Sequence, residues 1–203
     1  LFIGGKFVAP TSGNYFNTIN PATEKRIASV AEADAKDVDR AVTAARKAQV
    51  GWAKLAPAER GKYIYRIARI LQERAREFSV IETLDGGKPI RESRDIDVPL
   101  AAAHFFYYAG WADKLEYAFP GRSAAPLGVA GQVIPWNFPL LMAAWKIAPA
   151  LATGNTVVLK PAETTSLTAL KLAELLQDID LPPGVVNIIT GAGNTGAAII
   201  EHP

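Results

Sequence analysis

Apolar and polar positions change rhythm three times along the chain. In "LFIGGKFV" and "NYFNTINPATEKRIASVAEA" they alternate between Gly and Pro punctuation, which predicts short strands or a hairpin. "DAKDVDRAVTAARKAQ" then carries Val38, Ala41, Val42 and Ala45 at helical spacing, with aspartates near its start that suit the helix dipole. Pro57 opens a second, strongly amphipathic helix. Ile64, Ile67, Ala68, Leu71, Ala75 and Phe78 share one face, and Arg and Glu populate the other. "DGGKP", Asp85 to Pro89, reads as a helix stop. A further helix is predicted over about Arg91 to Leu115, bent or broken at Pro99, with Phe105, Phe106, Tyr108 and Trp111 as core residues. "YAFPGRSAAP", residues 117–126, reads as a linker.

Beyond the linker the rhythm becomes strand, helix, strand. "GVAGQVIPW", "NTVVLKPAE" and "GVVNIITG" are apolar nearly throughout, and each precedes a helix: "LLMAAWKIAPALATG", "TSLTALKLAELLQDID" and "NTGAAII". Three such βα units predict an α/β fold with parallel strands covered on both faces and right-handed crossovers. The chain accordingly divides into a helical and short-strand part, residues 1–125, and three βα units, residues 126–203.

Composition narrows the function. Lys plus Arg number 22 against 20 for Asp plus Glu, a near balance that argues against charge-driven binding to nucleic acid or a membrane surface. No apolar stretch reaches the ~18–20 residues of a membrane span, and no signal peptide opens the chain. A cytoplasmic location is expected. Absence of cysteine excludes disulfides, thiolate metal sites and a thiol nucleophile from this chain. His104 and His202 read as ordinary structural or surface residues, and no metal is expected. The chain opens on Leu1 and stops at Pro203, where a helix is barely finished, so it reads as a piece of a longer protein.

In an open parallel sheet, ligands sit outside the carboxyl ends of the strands. Three stretches lie there: Pro135-Trp136-Asn137, Lys160-Pro161-Ala162-Glu163, and Gly191 to Gly196. The last is a literal G-x-G-x-x-G, but it follows the third strand where the usual dinucleotide fingerprint follows the first. Gly193 and Gly196 leave room for a flat ring or phosphate beside a helix N-terminus, or simply serve a tight turn. Glu163 can accept both hydroxyls of an adenosine ribose and repel a 2′-phosphate, which favours NAD over NADP, with Lys160 donating to the same sugar. The alternative is an exposed lysine and a helix-capping glutamate. Asn137 can donate a hydrogen bond without bringing a charge, which suits an oxyanion hole. The alternative is that it caps the next helix.

At these residues the chain resembles the aldehyde dehydrogenase superfamily. "PLGVAGQVIPWNFPLLMAAWKIAPALATGNTVVLKPAETT" is similar to the family's first two βα units almost residue for residue. "FIGGKFV", "NPATEKRIASV", "LDGGKPIRES", "YYAGWADK" and "LPPGVVNIITGAG" extend the likeness over essentially the whole chain, in order. The resemblance implies an incomplete Rossmann-like NAD-binding domain and the oxidation of a small-molecule aldehyde to an acid. In that chemistry a cysteine attacks the aldehyde, the thiohemiacetal oxyanion is held by the amide of Asn137, hydride passes to nicotinamide, and a glutamate-activated water hydrolyses the thioester. By the same motif match, Val133, Ile134, Pro135 and Trp136 line the cofactor, Lys160 and Glu163 bind its ribose, and Gly193 approaches the adenosine. Phe138, Met142 and Trp145 fall near the aldehyde tunnel, and Lys146 supports the active site.

Two departures matter. The family's nucleophilic cysteine, its general-base glutamate and its Gly-Ser-Thr segment lie further along than this chain extends, so the catalytic domain is absent and the piece is expected to be inactive alone. The stretch between "ADK" and "PLGV" is shorter than in many relatives, where it makes an intersubunit β-hairpin. A homo-oligomeric parent is expected, and the piece, with an uncovered sheet edge, is expected to self-associate. A non-catalytic, dehydrogenase-like module with an assembly role is the alternative.

Overall fold

The N-terminal alternation folds as two hairpins. β1 (Phe2–Ile3) and β2 (Lys6–Phe7) turn at Gly4 and Gly5, both with left-handed φ. β3 (Tyr15–Ile19) and β4 (Arg26–Ala31) form a separate antiparallel pair with a register shift between Thr18 and Ile19. The computed structural model describes residues 1–122 and 124–203, so Ser123 of the expected linker lies outside the described residues.

α1 (Ala35–Lys54) begins where the aspartates predicted it. Asp34 accepts the Lys36 and Asp37 N–H groups and Asp37 returns a bond to the Asp34 N–H, closing a capping box. Its buried face carries Val38, Ala41, Val42 and Ala45. At its far end Trp52 Nε1 donates to the Leu151 carbonyl at 3.2 Å.

The helix expected from Pro57 through Phe78 is two helices, α2 (Pro57–Glu73) and α3 (Ala75–Gly86). Arg74 leaves helical geometry at φ −101°, ψ 19°, and its guanidinium pairs with Asp178 at 2.6 Å. A straight helix over residues 57–86 would be about 45 Å long. The break folds it back, so that Leu71 and Phe78 are both fully buried. The predicted stop is observed: Gly87 ends α3 with φ +71°, its N–H donating to the Thr83 carbonyl. A Cβ at Gly87 would also lie 2.5 Å from Pro21 Cγ.

The helix expected over 91–115 is likewise corrected. It comprises α4 (Ile90–Glu92), a π-helical turn (Ser93–Asp97) and α5 (Val98–Trp111), followed by the single-turn α6 (Leu115–Ala118). Pro99 has no N–H to give the preceding turn, and the wider π-turn lies immediately before it.

The βα rhythm folds as read: β5 (Val129–Val133), α7 (Pro139–Ala152), β6 (Thr156–Lys160), α8 (Leu167–Asp178), β7 (Val186–Ile188) and α9 (Gly193–Ile200). The strands β5, β6 and β7 are parallel neighbours. The sheet order is β2-β1-β7-β6-β5, because β1 adds to β7 antiparallel, Phe2 opposite Ile188. The first hairpin therefore belongs to the main sheet, which local alternation did not reveal.

Alternate residues of β6 feed two cores. Val157 and Leu159 join a larger cluster with Phe78, Phe105, Leu140 and Leu172, while Val158 joins Val38, Ala41, Ile189 and Ile199. Both cores draw on residues from either side of residue 125. The change of rhythm there is thus not a boundary between separately packed units. Among the described residues, β5 pairs only with β6, which leaves its outer edge open; Val133 on it is 41% exposed.

Candidate active and cofactor site

The parallel register runs through Val133 opposite Lys160, so the loops after β5 and β6 leave the sheet side by side. Ile134 N–H donates to the Lys160 carbonyl at 3.1 Å, and Ile189 N–H to the Leu159 carbonyl at 2.9 Å. The three stretches singled out from the sequence thus lie at one end of one sheet.

Asn137 does not cap α7. The cap position is Phe138, whose own side chain makes no capping hydrogen bond, and Pro139 occupies the first turn, where a missing N–H costs little. The Asn137 carboxamide stands exposed at the turn. Beside it Trp136 is 65% exposed and lines two adjoining cavities. One, of about 240 Å³, is walled by Glu82, Lys88, Asn137 and Pro139; the other, of about 390 Å³, by Pro21, Asp85 and Thr164. Val133 and Pro135 are exposed, but Ile134 is buried in the larger core. A cofactor can meet Ile134 through its backbone alone. Lys146 is half-buried on α7, and its carbonyl accepts from Gln132 Nε2 at 2.9 Å, tying the helix to β5.

At the end of β6, Lys160 is 3% exposed; its ammonium donates to the Pro161 carbonyl at 3.0 Å and lies 3.4 Å from Glu163 Oε2. The Glu163 carboxylate is exposed. A hydrogen bond from its own backbone N–H and the Lys160 charge hold it below the usual glutamate range, so it is ionised at neutral pH. At the end of β7, a Cβ on Gly191 would overlap the Thr195 hydroxyl, which donates to the Ala33 carbonyl at 2.6 Å. Gly191 is thus a packing glycine. Gly193, the first residue of α9, has open space where a Cβ would stand, and no side chain caps that helix. Open backbone, free N–H groups and the neighbouring Lys160–Glu163 pair fit the adenosine half of a dinucleotide.

Phe138, Met142 and Trp145 stand on one side of α7, with Phe138 and Trp145 exposed and Met142 partly so. α5 packs alongside, and His104 meets Trp145 edge to face at 5.4 Å. Burial lowers the His104 pKa, which keeps the ring neutral at this apolar surface. His104 therefore borders the candidate substrate face, a place its isolation in the sequence did not disclose.

Three further residues escaped the sequence reading. Glu82 and Asp85, three apart on α3, both point into the protein and are 1% and 2% exposed. Asp85 accepts the Leu167 N–H at the start of α8 at 2.8 Å and the Thr18 hydroxyl at 2.5 Å. Glu82 accepts the Leu140 N–H at the start of α7 at 3.4 Å. Thr168 faces the same carboxylate, but neither its hydroxyl nor Glu82 Oε2 completes a well-formed hydrogen bond. Burial pushes the Asp85 carboxyl up, and raises that of Glu82 to about 7. Lys88 pairs with the buried Asp97 of the π-turn, and its ammonium sits 4.0 Å from the centre of the Phe138 ring. The signal was "ETLDGGK": acids placed three apart on the inward side of a helix whose partners could not be seen.

The family model for the "Aldehyde dehydrogenase family" matches residues 7–203. The chain belongs to the aldehyde dehydrogenase family. An aldehyde dehydrogenase of Alternaria alternata is 49% identical over 212 positions, covering all of this chain and 43% of the relative. The mitochondrial aldehyde dehydrogenase family 2 member B4 of Arabidopsis thaliana is 47% identical over 213 positions, covering all of this chain and 40% of that protein. The NAD+ complex of an aldehyde dehydrogenase from Bacillus cereus superposes with a TM-score of 0.95 at 44% identity, over 99% of this chain and 43% of the solved one. This aldehyde dehydrogenase chain thus spans less than half the length of the relatives it matches. Among its described residues no helix is long and apolar enough to cross a membrane.

Proposed function

We propose that this chain is the cofactor-binding portion of an enzyme that oxidises an aldehyde to a carboxylic acid with NAD. The observation that carries the reading is the Asn137 carboxamide: exposed, not used as a helix cap, and carried on the loop that leaves the same sheet end as the Lys160–Glu163 loop. A cysteine from outside this chain attacks the aldehyde carbon. As the carbonyl oxygen gains negative charge, the Asn137 amide donates to it without itself titrating. Lys146, two turns further along α7, supports the site from the helix. Bound NAD supplies the acceptor for the hydride that leaves the aldehyde carbon. Val133, Pro135 and Trp136 border it, with Ile134 contributing its backbone, and Gly193 approaches the adenosine. Lys160 and Glu163 hold the ribose, and the ionised Glu163 disfavours the 2′-phosphate of NADP. Phe138, Met142 and Trp145 form one wall for the aldehyde's apolar part. The parent is a homo-oligomer in this reading.

The test is NAD reduction by the full-length protein with a panel of aldehydes. Asn137→Ala is expected to lower the rate on the order of a hundred- to a thousand-fold. A parent that reduces no NAD with any aldehyde, or an Asn137→Ala variant as fast as the parent, overturns the reading.

A further inference from the structure

We infer that Glu82 and Lys88 are positioning residues for the Asn137 turn, holding it from behind in the geometry an oxyanion needs. This rests on the reading of Asn137 as the oxyanion donor. Residues Pro135 to Phe138 are exposed, so little of the turn is fixed by its own burial. Pro135 and Pro139 restrict its two ends, and the Met142 N–H donates to the Phe138 carbonyl at 2.8 Å. What remains free is the direction in which the turn leaves α7.

Two contacts from the α3 end constrain that direction. Pro139 carries no N–H, so Leu140 bears the first N–H of α7, and Glu82 Oε1 takes it. A carboxylate at a helix N-terminus also meets the positive end of the helix dipole. Two residues away, the Lys88 ammonium lies over the Phe138 ring, and Asp97 holds Lys88 from its other side. Asp97 is 1% exposed and reaches this position from the π-turn before Pro99. Asn137 stands immediately before Phe138, so each brace acts within three residues of the donor. The cavity of about 240 Å³ between the braces and the turn has Glu82, Lys88, Trp136 and Asn137 in its walls. Space there lets Asn137 swing if either brace is removed. A fixed donor costs no reorganisation when charge develops, which is why its placement governs rate.

The experiment is a double-mutant cycle in the full-length enzyme. Glu82→Ala and Lys88→Met are each made with Asn137 intact and with Asn137→Ala, and kcat and KM for the aldehyde are measured at saturating NAD. With Asn137 intact, each is expected to lower kcat by about tenfold or more, with NAD affinity within about twofold of the parent; in the Asn137→Ala background each costs less than about threefold. Glu82→Gln and Lys88→Arg, which keep the acceptor and the cation, should restore kcat to within about threefold of the parent. A merely structural role predicts equal losses in both backgrounds, and that result, or no loss with Asn137 intact, overturns the inference. Should Glu82→Ala fail to fold, Lys88→Met carries the cycle alone, since it keeps the side-chain volume but removes the cation over the Phe138 ring that Asp97 holds. A parent that reduces no NAD removes the functional reading and this inference with it; an active parent with additive losses removes the inference alone.

Discussion

Replacing Glu82 by Gln tests the physical account of the buried carboxyl through stability. Glu82 is 1% exposed, and burial raises its pKa from 4.5 to about 7. In the unfolded chain the group loses its proton near 4.5; in the folded chain it keeps it until about 7. Folding therefore takes up a proton between those values, and stability falls as pH rises through the window, levelling off above it. The shift corresponds to a penalty of about 3 kcal/mol, fully present above pH 7, fading through the window and gone below pH 4.5. Gln cannot titrate. Its oxygen can still accept the Leu140 N–H, and its amide can donate to the Thr168 hydroxyl, which lacks a well-formed bond. The expected result is a variant more stable than the parent by up to about 3 kcal/mol at pH 8, with the two converging toward pH 4.5. Urea unfolding of both chains at a series of pH values measures the difference, from which the other titrating groups cancel. Curves that run parallel from pH 5 to pH 8 would refute the reasoning, because they would mean that Glu82 titrates alike in both states.

Replacing Glu163 by Ser should raise the ratio of NADP to NAD efficiency by about tenfold, since the carboxylate facing the ribose is lost; an unchanged ratio in steady-state assays of the full-length enzyme removes it as the discriminator. Gly87→Ala forces a Cβ into left-handed backbone and to within 2.5 Å of Pro21, and should cost about 2 kcal/mol in urea unfolding; a loss below about 0.5 kcal/mol would show that the turn relaxes freely. The open outer edge of β5 should make this chain self-associate in a concentration-dependent way, and sedimentation at a single monomeric mass across a wide concentration range would refute this.

Legibility followed the range of the interaction. The start of α1 among its aspartates, the stop at Gly87 and the three βα units depend on neighbours a few residues apart, and all were readable; the capping box itself was not singled out. The break at Arg74 answers to a core that the sequence pattern does not draw, and to Asp178 far along the chain. The pairing of β1 with β7 joins nearly opposite ends of the chain, so alternation could predict the strand but not its place. At the site the same rule held. The strand ends and their loops were legible because parallel sheets bind ligands there. Asn137 had two readings from spacing; the family resemblance favoured the oxyanion donor, and the observed cap at Phe138 removes the helix-cap alternative. Ile134 read as a lining residue by the motif match; its side chain falls on the inward side of the strand end, which leaves its backbone for that role.

The residues least visible in the sequence explain why the first half of the chain belongs to the site. Neither α7 nor α8 has a side-chain cap of its own. Each receives one from α3: Glu82 takes the Leu140 N–H and Asp85 the Leu167 N–H. These are the helices that follow the Asn137 loop and the Lys160–Glu163 loop, so one turn of α3 ties both loops together, and with them the proposed oxyanion donor and the proposed ribose-binding pair. Losing a side-chain cap costs a helix about 1 kcal/mol in ordinary cases. Here the loss would also let two loops from neighbouring strands move independently, and a hydride donor and acceptor tolerate little such freedom. Residues 126–203 carry the proposed binding groups, and α3 joins the starts of the two helices that follow them. The short run "ETLDGGK" thus does for the site what no residue of the three βα units can do for itself.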